Sequence, residues 1–164
     1  MEHQNDLHPL VAPLAVLNYL HEAHQYIDKN LTVMQVYNLM TGHPPFWLRI
    51  AFKIRDFLSL RLGGVQPISG FDSVKPENVQ INEKLDFFDV VKITDKELYL
   101  QSTDKHLSVL VALQLQEHNE QENELTVTTS VITYNLFGKI YMLPVSLVHD
   151  LIVKNSLKNL NQSC

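Results

Sequence analysis

The chain has 164 residues, 45% hydrophobic and 19% charged, long enough for one domain with a real core and ordinary for a soluble globular protein. Its 13 basic and 18 acidic residues give a formal net charge of −5, which argues against the basic face that nucleic-acid recognition uses. The one cysteine, Cys164, is the last residue, so no intrachain disulfide forms and a thiol nucleophile is not expected. The opening MEHQNDLHPL lacks a basic region followed by an apolar run, and no stretch reads as a transmembrane helix. The expected setting is the cytoplasm, without membrane insertion and as a single domain over 1–164.

Residues 1–12 are polar and mixed and are expected to be disordered. A short helix is allowed over Pro13–Tyr19. Over 22–29 a strand is favoured by Tyr26 and Ile27. Thr32 then opens a helix with a capping box, Thr32-Val33-Met34-Gln35. Its apolar face is Val33, Val36, Tyr37 and Met40, and Gly42 ends it in the usual C-terminal way. Pro44-Pro45 opens a second helix, which places Trp47, Ile50, Ala51, Ile54, Phe57 and Leu58 on one face and stops at Gly63-Gly64. Its other face, with Arg49, Lys53 and Asp56, reads as solvated. Residues 65–83 read as a loop.

From there the period changes from helical to alternating. Strands are expected over Asp86–Ile93, Lys96–Gln101, His106–Gln116 and Leu125–Asn135, with Glu117–Glu124 as a solvated hairpin loop. Leu107, Val109, Val111, Leu113 and Leu115 share one face of the third strand. Short connections imply an antiparallel meander. The last stretch carries a stripe at helical spacing, Phe137, Ile140, Tyr141, Pro144, Leu147, Val148, Leu151 and Ile152. Pro144 leaves two readings: a strand over 139–143 followed by a helix, or one helix kinked at Pro144. The unbroken apolar spacing favours the kinked helix.

Three blocks carry a family resemblance: PFWLRIAFKIRDFLSLRLGG, LDFFDVVKITDKELYLQSTDKHLSVLVAL and TVTTSVITYNLFGKIYMLPVSLVHDLIV. They resemble domain of unknown function 2867 at Trp47, Arg55, Asp56 and Gly63; at Asp104, Lys105, His106 and Leu107; and at Asn135, Gly138, Lys139, Tyr141, Pro144 and His149. Tyr134 stands where that pattern often has His, and Ser108 where it often has Asp. The resemblance implies an α+β helix-grip (START-like, pollen-allergen-like) fold, in which a curved antiparallel sheet surrounds a long C-terminal helix. It also implies an apolar cavity between them, and it brings no known activity.

The residues themselves suggest three functions. The first is a binder of a small hydrophobic ligand between sheet and C-terminal helix. Trp47, Ile54, Arg55, Phe57, Phe88, Tyr134, Asn135, Tyr141 and His149 are its pocket candidates. The second is a cyclase-, isomerase- or lyase-type enzyme using His106 or His149. The third is a protein-interaction module without an open cavity, an oligomer being allowed. His21-Glu22-Ala23-His24 has the wrong spacing for a zincin helix, so it and the other histidines read as surface residues. No metal, cofactor, Gly-x-Ser-x-Gly turn or phosphate loop is expected.

Overall fold

A computed structural model of the chain describes residues 9–42, 79–136 and 138–139. These residues form a six-stranded antiparallel sheet with one α-helix. The strands are β1 (Tyr19–Asp28), β2 (Lys84–Leu85), β3 (Phe88–Ile93), β4 (Glu97–Thr103), β5 (Leu107–Glu117) and β6 (Glu122–Thr133). They lie in the order β1-β6-β5-β4-β3-β2, so the meander from β2 to β6 is closed by β1 returning beside β6. The helix expected near Pro13 is a single 3-10 turn, Leu14–Val16.

Strand period two sorts the side chains onto two faces. Three cross-strand rows build the first face. They are Tyr19–Val131–Val109–Ser102, His21–Thr129–Val111–Leu100–Val90 and Ala23–Val127–Leu113–Leu98–Ile93. This face holds the core: Leu98, Leu100, Leu113, Leu125 and Val127 are all buried on it. Each such aliphatic side chain contributes about 1.5–3 kcal/mol on burial.

Helix α1 (Val33–Thr41) packs on β4 and β5. Val33, Val36, Tyr37 and Met40 are buried, the spacing of one helix face. The capping box forms: the Thr32 hydroxyl accepts from Gln35 N, while Thr32 N donates to Gln35 Oε1 at 2.9 Å. The first turn is also tied to the sheet, since Val33 N donates to the carbonyl of Asp95 between β3 and β4 at 2.9 Å. At the other end Gly42 ends the helix as expected, with helical backbone, φ −66.

Several boundaries differ from the sequence reading. The strand predicted over Asp86–Ile93 begins two residues later, as β3, and a short strand that was not predicted, β2, precedes it and pairs with it across Asp86-Phe87. Asp86 has φ 56, a left-handed conformation that short polar side chains tolerate. Tyr37 holds it there, its hydroxyl donating to Asp86 Oδ2 at 2.5 Å. Within β3 a bulge between Val90 and Lys92 turns Lys92 to the same side as Tyr99. The predicted loop 117–124 is shorter. Asn119 Oδ1 accepts from Gln121 N and Glu122 N, both at 2.8 Å, which closes the turn and lets β6 begin at Glu122. The second helix and the C-terminal stretch with Pro144 lie outside the described residues.

Candidate functional site

Helix α1 covers the β4–β5 side of the first face. The same face also offers Tyr19, His21 and Ala23 on β1 and Val109 and Val111 on β5, all half-buried, beside buried Thr129 and Val131 on β6. The floor is mostly apolar, with three polar groups: the Tyr19 and Thr129 hydroxyls and the His21 imidazole. The Tyr19 and His21 rings stack, centroids 6.5 Å apart and planes within 10°. They are two residues apart on one strand and so point the same way. His24, three residues from His21, points to the other face.

A cluster of backbone and side-chain bonds closes the end of the sheet nearest Tyr19. In the β4–β5 turn Asp104 Oδ1 accepts from His106 N at 2.6 Å and Leu107 N at 3.0 Å. Beyond β6, Tyr134 N donates to the His106 carbonyl at 2.8 Å. Asn135 then bridges the two segments. Its Nδ2 donates to the Lys105 carbonyl at 3.2 Å, and its Oδ1 accepts from Gly138 N at 3.0 Å. The His106 Nδ1 lies 2.9 Å from Asn135 Nδ2 and 3.2 Å from its Oδ1. Gly138 fits because it has no side chain: a Cβ there would stand 2.4 Å from the His106 carbonyl oxygen. The resemblance residues Asp104, Lys105, His106, Asn135 and Gly138 thus form one structural clasp between two chain segments.

The second face carries polar networks. Ser108 Oγ donates to Thr103 Oγ1 at 2.7 Å and lies 2.6 Å from the Tyr134 hydroxyl. Ser108 and Tyr134, the two departures from the family pattern, are therefore direct partners. Further along, Gln114 Nε2 donates to the Tyr99 hydroxyl at 3.1 Å, and Tyr99 donates to Glu97 at 2.6 Å. Lys92 pairs with Glu97 and lies 5.0 Å from the Tyr99 ring centre. Lys92, and then the Tyr99 hydroxyl, hold the Glu97 carboxyl below the usual carboxylate range. Partial burial, and then Glu97, raise the Tyr99 phenol above its ordinary value. Tyr37 is raised further, by burial first and by the adjacent Asp86 carboxylate second.

On β1, His24 Nε2 meets Glu22 Oε1 at 3.1 Å, and its Nδ1 meets Glu124 Oε1 at 3.3 Å. The carboxylates sit at opposite ring nitrogens and cannot converge on one ion. Among the described residues no group of three or more His, Cys, Asp or Glu side chains could hold a metal.

Of the sequence-predicted site residues, His106, Tyr134 and Asn135 come together in the clasp and its neighbour. Tyr134 is 53% exposed, anchored by its hydroxyl. Phe88 is buried in the core at the β3 side, its ring 4.1 Å from that of Phe87. Trp47, Ile54, Arg55, Phe57, Tyr141 and His149 lie outside the described residues. The floor histidine, His21, was read from sequence as a surface residue; it is half-buried on the core face. The signal was present in the alternation Tyr19, His21, Ala23, which places all three beside the core once β1 is read as a strand.

Among the described residues no helix is long and apolar enough to cross a membrane. No curated protein matches the chain. A family model described as a protein of unknown function (DUF2867) matches residues 14–156, which include both the floor and the clasp. The chain belongs to the DUF2867 family.

Proposed function

We propose that the chain is a START-like, helix-grip binder of a small hydrophobic molecule, held over the β1–β6 half of the core face. The observation that supports this is the floor itself. It is an apolar surface of Ala23, Val109 and Val111, half-buried on the core face, with Tyr19, His21 and Thr129 as its polar groups. Ligand pockets have this make-up, apolar walls with a few groups that fix orientation. From sequence alone, the remaining walls are assigned to Trp47, Ile54, Arg55, Phe57, Tyr141 and His149.

The test is titration with an apolar fluorescent probe. Val111→Trp fills the floor and is expected to abolish probe binding. Leu20→Trp, on the other face of the sheet, is expected to leave it intact. Wild-type protein that binds no apolar probe, or a Val111→Trp variant that binds as wild type does, sinks the reading.

One observation favours the isomerase-, cyclase- or lyase-type alternative, the stacked Tyr19–His21 pair on the floor. In that reading His21 is the acid–base group rather than His106. His21→Gln then keeps ligand binding and loses turnover.

A further inference from the structure

Backbone parity fixes which residues of β1 face outward. His118 N donates to the Glu122 carbonyl at 3.1 Å, so the even-numbered residues of β6 exchange their bonds with β5. The odd-numbered ones are left for β1. Lys29 N accordingly donates to the Gln121 carbonyl at 3.0 Å, one step past the β1–β6 ladder in the same register. Because these bonds alternate, Leu20, Glu22, His24, Tyr26 and Asp28 point their N–H and C=O groups away from β6. All of them are exposed, and among the described residues no strand lies beyond β1.

Sheet edges are commonly defended by short strands, lysines, prolines or bulges. The opposite edge fits that pattern: β2 is 2 residues long and one of them is Lys84. Strand β1 runs for 10 residues without lysine or proline and pairs with β6 in one unbroken register. It also exposes two large apolar side chains on the second face, Leu20 at 45% and Tyr26 at 49%.

We propose that β1 pairs antiparallel with β1 of a second copy of this chain, about a two-fold axis at Ala23, and joins two sheets into one. Outward-facing residues must meet outward-facing residues, so a residue on the axis faces its own copy. Centred on Ala23, Leu20 faces Tyr26 of the second copy, and Glu22 faces His24 of the second copy. Apolar meets apolar and acid meets base, each pair worth having opposite one another in a sheet. Within one copy Glu22 Oε1 is 3.1 Å from His24 Nε2, while Glu124, one strand further in, takes the other ring nitrogen at 3.3 Å. Pairing therefore sets two Glu22 carboxylates and two His24 imidazoles in a checkerboard across the axis. Ala23 meets itself as a non-hydrogen-bonded pair, where strands come closest and a methyl group fits. Neighbouring registers are worse. An axis at Glu22 sets two carboxylates face to face. An axis at His24 sets Leu20 against Asp28 and Glu22 against Tyr26. Further shifts shorten the ladder. The Ala23 register runs from Tyr19 to Ile27 of each copy and forms about eight backbone hydrogen bonds. Such self-complementarity is what a two-fold interface requires, and a foreign strand has no reason to match it. The pairing is independent of ligand binding on the floor, and separate experiments decide the two.

The test uses the full chain in sedimentation equilibrium over a wide concentration range. The mass is expected to rise from that of one 18.9 kDa chain to twice that value. His24→Pro removes an N–H that points away from β6, so the monomer keeps its sheet. It is expected to weaken the dimer roughly tenfold or more. Three single-cysteine variants in a Cys164→Ser background read the register. Under mild oxidation Ala23→Cys is expected to give a disulfide-linked dimer, well ahead of Glu22→Cys and His24→Cys. A wild-type chain that stays monomeric at every concentration overturns the proposal, as does a dimer that His24→Pro leaves unchanged. Faster cross-linking at Glu22→Cys or His24→Cys overturns the register. Wild-type sedimentation and the cysteine variants decide the matter even if His24→Pro fails to fold.

Discussion

Replacing Gly138 by Ala tests the clasp as a source of stability. The added Cβ would stand 2.4 Å from the His106 carbonyl oxygen, 3.2 Å from its carbon and 3.3 Å from Thr133 Cβ. Unstrained carbon contacts lie near 3.5–4.0 Å, so the overlap exceeds what thermal adjustment absorbs. The carbonyl cannot swing aside freely, because it accepts from Tyr134 N at 2.8 Å while Asp104 Oδ1 holds the same residue's N–H at 2.6 Å. Overpacking of this kind costs about 1–3 kcal/mol. Losing the Gly138–Asn135 or Tyr134–His106 hydrogen bond adds about 1 kcal/mol. The expected total is about 2–4 kcal/mol. In a chain of this size that lowers the melting temperature by roughly 5–15 °C. Thermal melts followed by circular dichroism, with a urea titration for the free energy, measure it. A melting temperature within about 2 °C of wild type would refute the reasoning, since the segment would then be shifting away from the sheet at no cost.

Other substitutions probe separate parts of the fold. Thr32→Ala removes the capping-box hydroxyl from α1 and is expected to cost about 1 kcal/mol in urea titration, with Thr32→Ser close to wild type. Leu113→Ala, at a fully buried position between β4 and β6, is expected to cost about 2–5 kcal/mol. Tyr37→Phe removes the hydroxyl that donates to Asp86 and is expected to cost about 1–3 kcal/mol. The raised Tyr37 phenol also sets an alkaline dependence. The folded state keeps its proton where the unfolded state loses it, so this contribution is complete below about pH 10 and falls as pH rises beyond it. Stability curves in that range should flatten in Tyr37→Phe. On the acid side the Glu97 carboxyl, held low by Lys92, stabilises above the ordinary carboxylate range, and the effect is lost as pH falls through it. Lys92→Ala should move the Glu97 titration, followed by carboxyl-carbon NMR, back towards that range.

The third predicted strand was legible because its period is unambiguous. Alternation in Leu107–Leu115 put Leu107, Val109, Val111, Leu113 and Leu115 on one face, which in β5 is the face that carries the core. Thr32 and Gln35 announced α1 by local chemistry alone. The misplaced boundaries have physical causes that composition hides. EHNEQENE reads as a loop throughout, yet Asn119 closes the turn early and the polar residues continue the β5–β6 ladder. Asp86 reads as strand because its left-handed backbone depends on Tyr37, 49 residues away. For the site, the resemblance singled out Asp104, His106, Asn135 and Gly138, but only the β5–β6 register shows that they touch. His21 was missed because a histidine in a polar-looking run says nothing of its face until the strand phase is known.

The binding claim is tested most directly by native mass spectrometry of the chain purified from its own cells. A cavity above the Tyr19, His21 and Val111 floor predicts a species heavier than the 18.9 kDa chain by one small molecule. That molecule should be released on denaturation and be recovered as an apolar compound. A single species at the bare chain mass, with no apolar compound in the denatured extract, would contradict it.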